Sequence, residues 1–159
     1  MNTTELTAKL ETLKNLENQI KTREKEIRIE KVKEAYNKFM YKWGDDIEAL
    51  KIVHKNGMFL REEEGKKYLH KYGNIIMNNI YLKFYFDRGD WHLNVNSDYD
   101  NIFWYKNGDP GSEESLKRHL LRISQADERM PLLVKSAEEG IAYYESQLSE
   151  RLTKLGGTK

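Results

Sequence analysis

The stretch that decides the fold is residues 80–95, which read IYLKFYFDRGDWHLNV. Apolar and polar side chains alternate on both sides of the turn sequence Arg88-Gly89-Asp90, and a period of two is typical of a strand with one buried face. Because the two alternating segments are joined by so short a turn, they predict an antiparallel hairpin. The apolar positions of the alternation are Ile80, Leu82, Phe84, Phe86, Trp91, Leu93 and Val95.

Two flanking segments are expected to extend this hairpin into an antiparallel sheet of three or four strands over residues 75–106. Residues 74–77 precede an Asn-Asn turn sequence and predict a short edge strand. Residues 102–106 predict a third strand, because the turn-forming stretch 107–111 follows them directly.

The segment before the sheet is harder to assign. Residues 58–60 are apolar and predict a brief strand. Residues 62–72 are ambiguous, and the candidate structure for them is one more short helix that ends at Gly73.

The N-terminal part of the chain predicts a helical arm over residues 2–43. Asn2 and Glu5 have the spacing of a helix cap and its return partner. We expect Gly44 to end this helix and residues 46–55 to form a second, short one. The apolar positions follow steps of three and four residues, which are typical of a coiled-coil seam. They are Leu6, Leu10, Leu13, Leu16, Ile20 and Ile27.

The C-terminal part, residues 112–155, predicts two helices. Ser112 is expected to cap the first of them. Asp127 is expected to start the second, with Pro131 in or near its first turn, where proline is tolerated. A second seam runs along this last helix. Its members are Val134, Ala137, Ile141, Tyr144, Leu148, Leu152 and Leu155.

Each of the two seams needs a partner, because exposed Leu and Ile side chains gain about 1.5–3 kcal/mol each when they are buried. The helices at 2–27 and 132–155 can pack antiparallel within one chain as a stalk, or they can pair between two copies. The sequence therefore leaves both a monomer and a homodimer open. The fold class that we expect is α+β, as a single domain over residues 1–159.

Composition excludes several classes of function. The chain has 159 residues, of which 33% are charged, and its net charge is only +1. A strongly basic nucleic-acid binder and an acidic mimic of DNA would both depart from this balance. There is no cysteine, and hence neither a disulfide nor a thiolate metal site. No apolar stretch approaches 18 residues, so we expect no membrane contact and a cytoplasmic location.

We find no motif that predicts catalysis, and we expect no catalytic residue, no cofactor and no metal site. No two of the four histidines are three or four residues apart, so no helix presents a two-histidine metal face. Asp87, Asp90 and His92 surround the hairpin turn, as in some metal-dependent nucleases. Turns favour aspartate for backbone reasons alone, and this is the interpretation that we adopt.

The most informative surface is the outer face of the predicted hairpin, which combines aromatic rings with a lysine. If Ile102 and Trp104 pack inward, Phe103 and Tyr105 join this face. Three interpretations compete: an anchor surface for a protein partner, a second face covered by helices, and a stacking platform for single-stranded bases. The neutral net charge disfavours nucleic acid. The predicted protein-binding residues are Tyr81, Lys83, Tyr85, His92, Phe103 and Tyr105.

The chain has, in this order, a charged helical arm, the aromatic hairpin at residues 80–95 and C-terminal helices. In this order and in its length it resembles the small phage anti-CRISPR proteins that inhibit type II (II-A) RNA-guided nucleases. The resemblance implies stoichiometric inhibition of a guide-loaded effector in the host bacterial cytoplasm, without turnover and without sequence-specific contact to nucleic acid. Inhibitors of this kind mimic DNA, block guide loading or hold a nuclease domain away from its target strand. Because the charge balance of this chain disfavours mimicry, we expect contact with a nuclease domain, with the HNH domain as the first choice.

Residues 80–155 more loosely resemble a module of a strand hairpin and coiled helices at the ends of large mobile-element helicases and methylases. The competing hypothesis is therefore a coiled-coil structural or assembly protein of a phage or mobile element. The target nuclease and the surface that it offers are not encoded in any motif of this chain.

Overall fold

The computed structural model describes residues 2–156 and has an α+β architecture, which confirms the predicted class. Two long helices, α1 (Thr3–Lys55) and α2 (Glu113–Lys154), flank five antiparallel strands and one short 3-10 helix, η1 (Ile102–Lys106). The strands are β1 (Phe59–Glu63), β2 (Lys66–His70), β3 (Gly73–Met77), β4 (Ile80–Asp87) and β5 (Asp90–Val95).

Helix α1 is one unbroken helix, so the predicted end at Gly44 and the separate helix over 46–55 were wrong. Its start was predicted correctly, because the Asn2 side chain accepts a 2.8 Å hydrogen bond from the backbone N–H of Glu5. Trp43 and Ile47 pack into the core on either side of Gly44. Their burial outweighs the cost of about 1 kcal/mol that a glycine brings to a helix interior.

Helix α2 is also continuous, and the predicted second helix starting at Asp127 was wrong. The Ser112 cap is confirmed, since its hydroxyl accepts from the N–H of Ser115 at 3.1 Å. Asp127 lies inside the helix and accepts a 2.7 Å hydrogen bond from Trp43 Nε1. The helix continues through Pro131, because the fully buried Met130 and Leu133 hold both flanks of the proline in the core.

The two helices run parallel, side by side. Arg28 of α1 lies 3.8 Å from Asp109 just before α2, Trp43 contacts Asp127 further along, and Met58, three residues after the end of α1, lies beside Gly140. From here on, the arm denotes only residues 3–27, the part of α1 that extends beyond the start of α2, and the tail denotes residues 141–155. They project from opposite ends of the molecule, so the arm and the tail of one chain do not meet. The predicted antiparallel stalk within one chain was therefore wrong.

The predicted hairpin at residues 80–95 is confirmed as β4 and β5, with Phe84 opposite Leu93. The edge strand predicted at 74–77 is confirmed as β3, and the sheet order is β3-β4-β5. Leu82, Phe84, Leu93 and Val95 are completely buried, as the alternation predicted. Phe86 at the end of β4 stays 43% exposed, with its ring centroid 5.0 Å from that of Trp91 in an edge-on arrangement.

Residues 59–70 form a second, two-stranded sheet, β1 with β2, and the candidate helix over 62–72 was wrong. The turn residues Glu64 and Gly65 both have left-handed backbone conformations, with φ of 52° and 76°. A two-residue hairpin turn requires this geometry. Glutamate rarely adopts this conformation, so Gly65 was the only one of the two turn residues whose type indicated a hairpin turn.

The third strand predicted at 102–106 was wrong as well, because these residues form η1. The sheet predicted over 75–106 therefore ends at Val95. Asn101 caps η1: its side-chain oxygen accepts from the N–H groups of Leu93 and Phe103 at 3.0 and 3.1 Å. A 3-10 helix repeats every three residues, which changes which side chains face the core.

Helix α2 contacts α1, both sheets and η1. Arg129 near its centre is only 1% exposed. Its guanidinium donates to the carbonyl oxygens of Met77, Ile80 and Gln125 at 2.8, 3.2 and 2.9 Å. The charged group is therefore satisfied by two backbone acceptors that flank the turn between β3 and β4 and by one acceptor in α2 itself. This contact fixes the three-stranded sheet on α2.

We predict that Gly140→Ala strongly destabilises the protein, because α2 approaches the backbone of residues 58–60 there. A β-carbon at Gly140 would lie 1.8 Å from the carbonyl oxygen of Met58. Such overpacking costs typically about 1–3 kcal/mol or more, and chemical denaturation measures it. Gly44→Ala is the matched control: nothing lies within 4 Å of its added methyl, so the higher helix propensity of alanine should raise stability by about 0.5–1 kcal/mol. Equal effects of the two substitutions would contradict the packing.

His54 near the end of α1 is 3% exposed, and its Nε2 accepts a 3.2 Å hydrogen bond from the backbone N–H of Phe86. The bond requires an unprotonated Nε2. Burial, with a smaller contribution from the charge of Lys71, lowers the pKa of His54 below its ordinary value. The folded state therefore resists protonation of His54 more than the unfolded state does.

This linkage predicts a loss of stability on acidification. Below about pH 6.5 the unfolded state binds a proton at His54 that the folded state does not, so stability falls as the pH drops toward the folded-state pKa. Each such group contributes a slope of up to about 1.4 kcal/mol per pH unit. We expect the His54→Gln variant, measured by urea unfolding at a series of pH values, to show a shallower dependence than the wild type. Identical slopes would show that His54 is not linked to folding.

Candidate protein-binding site

Strand pairing places four of the six predicted binding residues on the outer face of the three-stranded sheet. Lys83 of β4 is paired with Asn94 of β5, and Tyr85 is paired with His92. Tyr81 lies two residues before Lys83 on β4 and therefore on the same face of the sheet. Of the alternate residues of these strands, Leu82, Phe84, Leu93 and Val95 are completely buried against the core. The side chains of Tyr81, Lys83, Tyr85 and His92 are all partly exposed. The hypothesis that helices cover this face does not hold for them.

The structure does not place Phe103 and Tyr105 on this face, so that part of the prediction was wrong. Tyr105 is 5% exposed, stacks on His119 at 4.1 Å between ring centroids and donates to Asp100 at 3.2 Å. Burial, and then the charge of Asp100, raises the pKa of Tyr105. Phe103 packs against the core. The reason is the three-residue period of η1, which turns Ile102 and Tyr105 inward together.

Trp104 takes the place of these two residues, against the expectation that it packs inward. It is 53% exposed, and its ring centroid lies 5.6 Å from that of His92 in an edge-on arrangement. Its indole Nε1 donates to Asp90 at 3.1 Å, which holds the ring over the end of β5. The only sequence signal for this position was Asn101, a residue type that favours a cap over a strand.

The outer face carries a continuous line of rings that extends across both sheets, which we call the aromatic row. Neighbouring ring centroids in it are 4.7 to 6.2 Å apart. This is the range in which aromatic side chains attract one another. Sequence reasoning found the middle of the row and missed both ends. The members in spatial order are Tyr68, His70, Tyr72, Tyr85, His92 and Trp104.

Hydrogen bonds hold the centre of the row in place. The Tyr85 hydroxyl accepts a 2.8 Å hydrogen bond from Asn94, which lies on the same face of the sheet and is completely buried. The Tyr85 and His92 rings stack at 4.7 Å with only 5° between their planes. The Asn101 amide lies 3.3 Å from His92 Nδ1. The rings are therefore ordered before any partner binds, which reduces the entropy lost on binding.

The charges along the row are not uniform. The Lys83 ammonium lies 5.1 Å from the ring centroid of Tyr72 and 4.7 Å from that of Tyr85, within range of a cation–π interaction. Around Trp104, a shallow depression is instead lined by Asp87, Asp90 and Asp98, with Arg88 beside them. The face is thus basic at its centre and acidic at one end.

This polarity bears on the ligand classes weighed for the face. A nucleic-acid strand needs positive charge along its whole path, and three carboxylates at one end of the row would repel its phosphates. Protein partners tolerate and exploit such mixed patterns. The aromatic row therefore fits a protein partner better than a single strand.

The cluster of Asp87, Asp90 and His92 does not form a metal site. Asp90 accepts hydrogen bonds from the backbone N–H of Trp91 and from Trp104, and His92 stacks on Tyr85. Within residues 2–156 no group of three or more His, Cys, Asp or Glu side chains is arranged to hold a metal ion.

Asp100 ties the loop behind the row to α2. It is 3% exposed and accepts from Arg118 at 2.7 Å and from Arg122 at 3.1 Å. Burial alone would raise the pKa of this carboxyl, but the hydrogen bond and charge of Arg118, with help from Tyr105 and Arg122, hold the pKa below its ordinary value. The ionised Asp100 thus fixes η1, and with it Trp104, in position.

Comparison with known proteins finds no relative: no protein-family model matches the chain, and neither a curated protein nor a solved structure does. Between residues 2 and 156, no helix combines the length and the apolar character that crossing a membrane requires. The candidate site is therefore interpreted from its own geometry.

We predict that the two neighbouring η1 aromatics differ sharply in their contribution to stability. Tyr105→Ala removes a buried ring and should lower the free energy of unfolding by about 3–5 kcal/mol. Trp104→Ala changes a half-exposed ring and should cost no more than about 1 kcal/mol. Thermal and urea unfolding of the two variants measure this. A larger loss for Trp104→Ala than for Tyr105→Ala would mean that the strand prediction was right after all.

Proposed function

We propose that the protein is a non-enzymatic inhibitor that binds a type II CRISPR effector nuclease through the aromatic row. The single observation that carries the binding part of this proposal is the row itself, a rigid line of partly exposed rings. Tyr and Trp are enriched among the anchor residues of protein interfaces, because they bury a large area with few rotatable bonds. The choice of target rests on the resemblance of the whole chain to small anti-CRISPR proteins.

The mechanism that fits such an inhibitor is a shift between nuclease conformations. The HNH domain of these effectors must swing and dock before it cuts the target strand. An inhibitor that binds the undocked state more tightly than the docked one displaces the equilibrium by the difference between its two affinities. Cleavage is then lost while the effector still binds its target DNA.

The test is a pull-down of the full chain against a panel of guide-loaded type II effectors, followed by cleavage and DNA-binding assays on each effector that it captures. We expect capture of at least one effector, with lost cleavage and retained target binding. Lost target binding would point to a blocked DNA site in place of a held HNH domain. Capture of none, or complete cleavage with excess protein present, would overturn the proposal.

Point substitutions test whether the row is the contact. For a captured effector, Tyr85→Ala and Trp104→Ala should each weaken binding by about 30-fold, which corresponds to the roughly 2 kcal/mol of an anchor residue. Tyr41→Ala is the matched control, since Tyr41 is a 96% exposed tyrosine on α1, away from the sheet. Titration calorimetry measures all three affinities. Unchanged affinity for both row variants would place the contact elsewhere.

A second candidate function is that of a coiled-coil structural or assembly protein of a phage or mobile element. The observation that favours it is the exposed apolar seam on both the arm and the tail. The two candidates use different surfaces, so they can be tested separately.

A further inference from the structure

The arm carries an apolar seam that no other part of residues 2–156 covers. Five of its aliphatic side chains are each 46–57% exposed, although they follow the spacing of a coiled-coil core. They are Leu6, Leu10, Leu13, Leu16 and Ile20. A row of this kind along an isolated helix is typical of an interaction surface and unusual for a free one.

The tail carries a second uncovered seam. The face of α2 that packs in the core through Leu133 and Ala137 continues at steps of three and four residues past the end of α1. It loses its partner there, and its side chains become exposed. Its aliphatic members are Ile141, Leu148 and Leu152, each 46% exposed, and Leu155, which is 83% exposed.

The charges beside the seams indicate which surfaces can pair. In a heptad pattern with Leu13 and Ile20 in the seam, Lys14 and Lys21 flank it. Glu145 on the tail and Glu138, three residues before the tail begins, occupy the equivalent flanking positions of α2. Two arms packed together would place lysines and arginines beside one another, whereas an arm packed on a tail places lysine beside glutamate.

One antiparallel register aligns three aliphatic pairs and two pairs of opposite charge, while Leu10 faces Arg151 and Glu17 faces Tyr144 in the layers between them. When Leu13 lies opposite Leu148, the remaining aliphatic pairs are Leu6 with Leu155 and Ile20 with Ile141. The same register pairs Lys14 with Glu145 and Lys21 with Glu138. On the other flank Leu16 meets Gln147, and Lys9 and Lys154, near the ends, carry like charges.

We propose that the chain forms a two-fold symmetric homodimer in which the arm of each copy packs antiparallel on the tail of the other. The arm and tail of one chain cannot meet, because parallel packing of α1 and α2 sends them in opposite directions. Two copies side by side in opposite orientations bring each arm to the other tail. Both pairings form together, and the interface closes on itself without growing into a filament.

Solution mass is the first test. Sedimentation equilibrium of the full chain should give twice the chain mass of 18.9 kDa. Leu13→Glu on the arm and Leu148→Glu on the tail should each shift the protein toward 18.9 kDa with unchanged circular dichroism, since both side chains are exposed in the single chain. Ala8→Glu and Ala142→Glu are the matched controls, because they add the same charge off the seams and should leave the dimer intact.

A cysteine experiment tests the pairing itself, on a background that contains no cysteine. Lys14→Cys and Glu145→Cys chains, mixed and oxidised, should form a disulfide-linked dimer, whereas each variant alone should not. Cross-linking of Lys14→Cys alone would show arm-to-arm pairing. A wild-type chain that remains monomeric at high concentration would overturn the proposal. Tyr85→Ala should remain dimeric, so failure of the dimer and failure of the proposed target binding are distinguishable.

Discussion

The parallel packing of α1 against α2 is the constraint on which the rest of the structure depends. Because α2 begins beside Arg28 and not beside the end of α1, the chain between the helices has to return along the length of the pair. The two small sheets make this return, and Arg129 and Gly140 of α2 fix them to the helix. The same packing holds the arm and the tail apart.

This scaffold leaves two separate surfaces open. The outer face of the three-stranded sheet is rigid, because buried Asn94 and Asn101 contact the polar atoms of Tyr85 and His92. The helical seams lie at the two ends of the molecule and offer apolar area flanked by charge. A symmetric dimer would therefore present two copies of the aromatic row, and the row would not be consumed by the dimer contact.

Features that follow from strong local sequence patterns could be predicted here, whereas features that depend on tertiary packing could not. The hairpin over 80–95 follows from a period of two and a turn sequence, and the α+β class follows from it. Four of the six proposed contact residues lie on the expected face. Phe103 and Tyr105 were misplaced because the Asn101 side chain, by bonding to β5 and η1 at once, converts an expected strand into a 3-10 helix. The continuity of α1 through Gly44 and the direction of α2 depend on burial against distant residues, which no local pattern encodes.

We propose that a partner nuclease covers the aromatic row. Oxidative footprinting of the full chain, alone and with a captured guide-loaded effector, is the sharpest test of this proposal, because hydroxyl radicals modify exposed tyrosine and tryptophan side chains. We expect Tyr85 and Trp104 to become protected in the complex while Tyr41 on α1 remains as reactive as before. Protection of Tyr41 with unchanged reactivity at Tyr85 and Trp104 would contradict it.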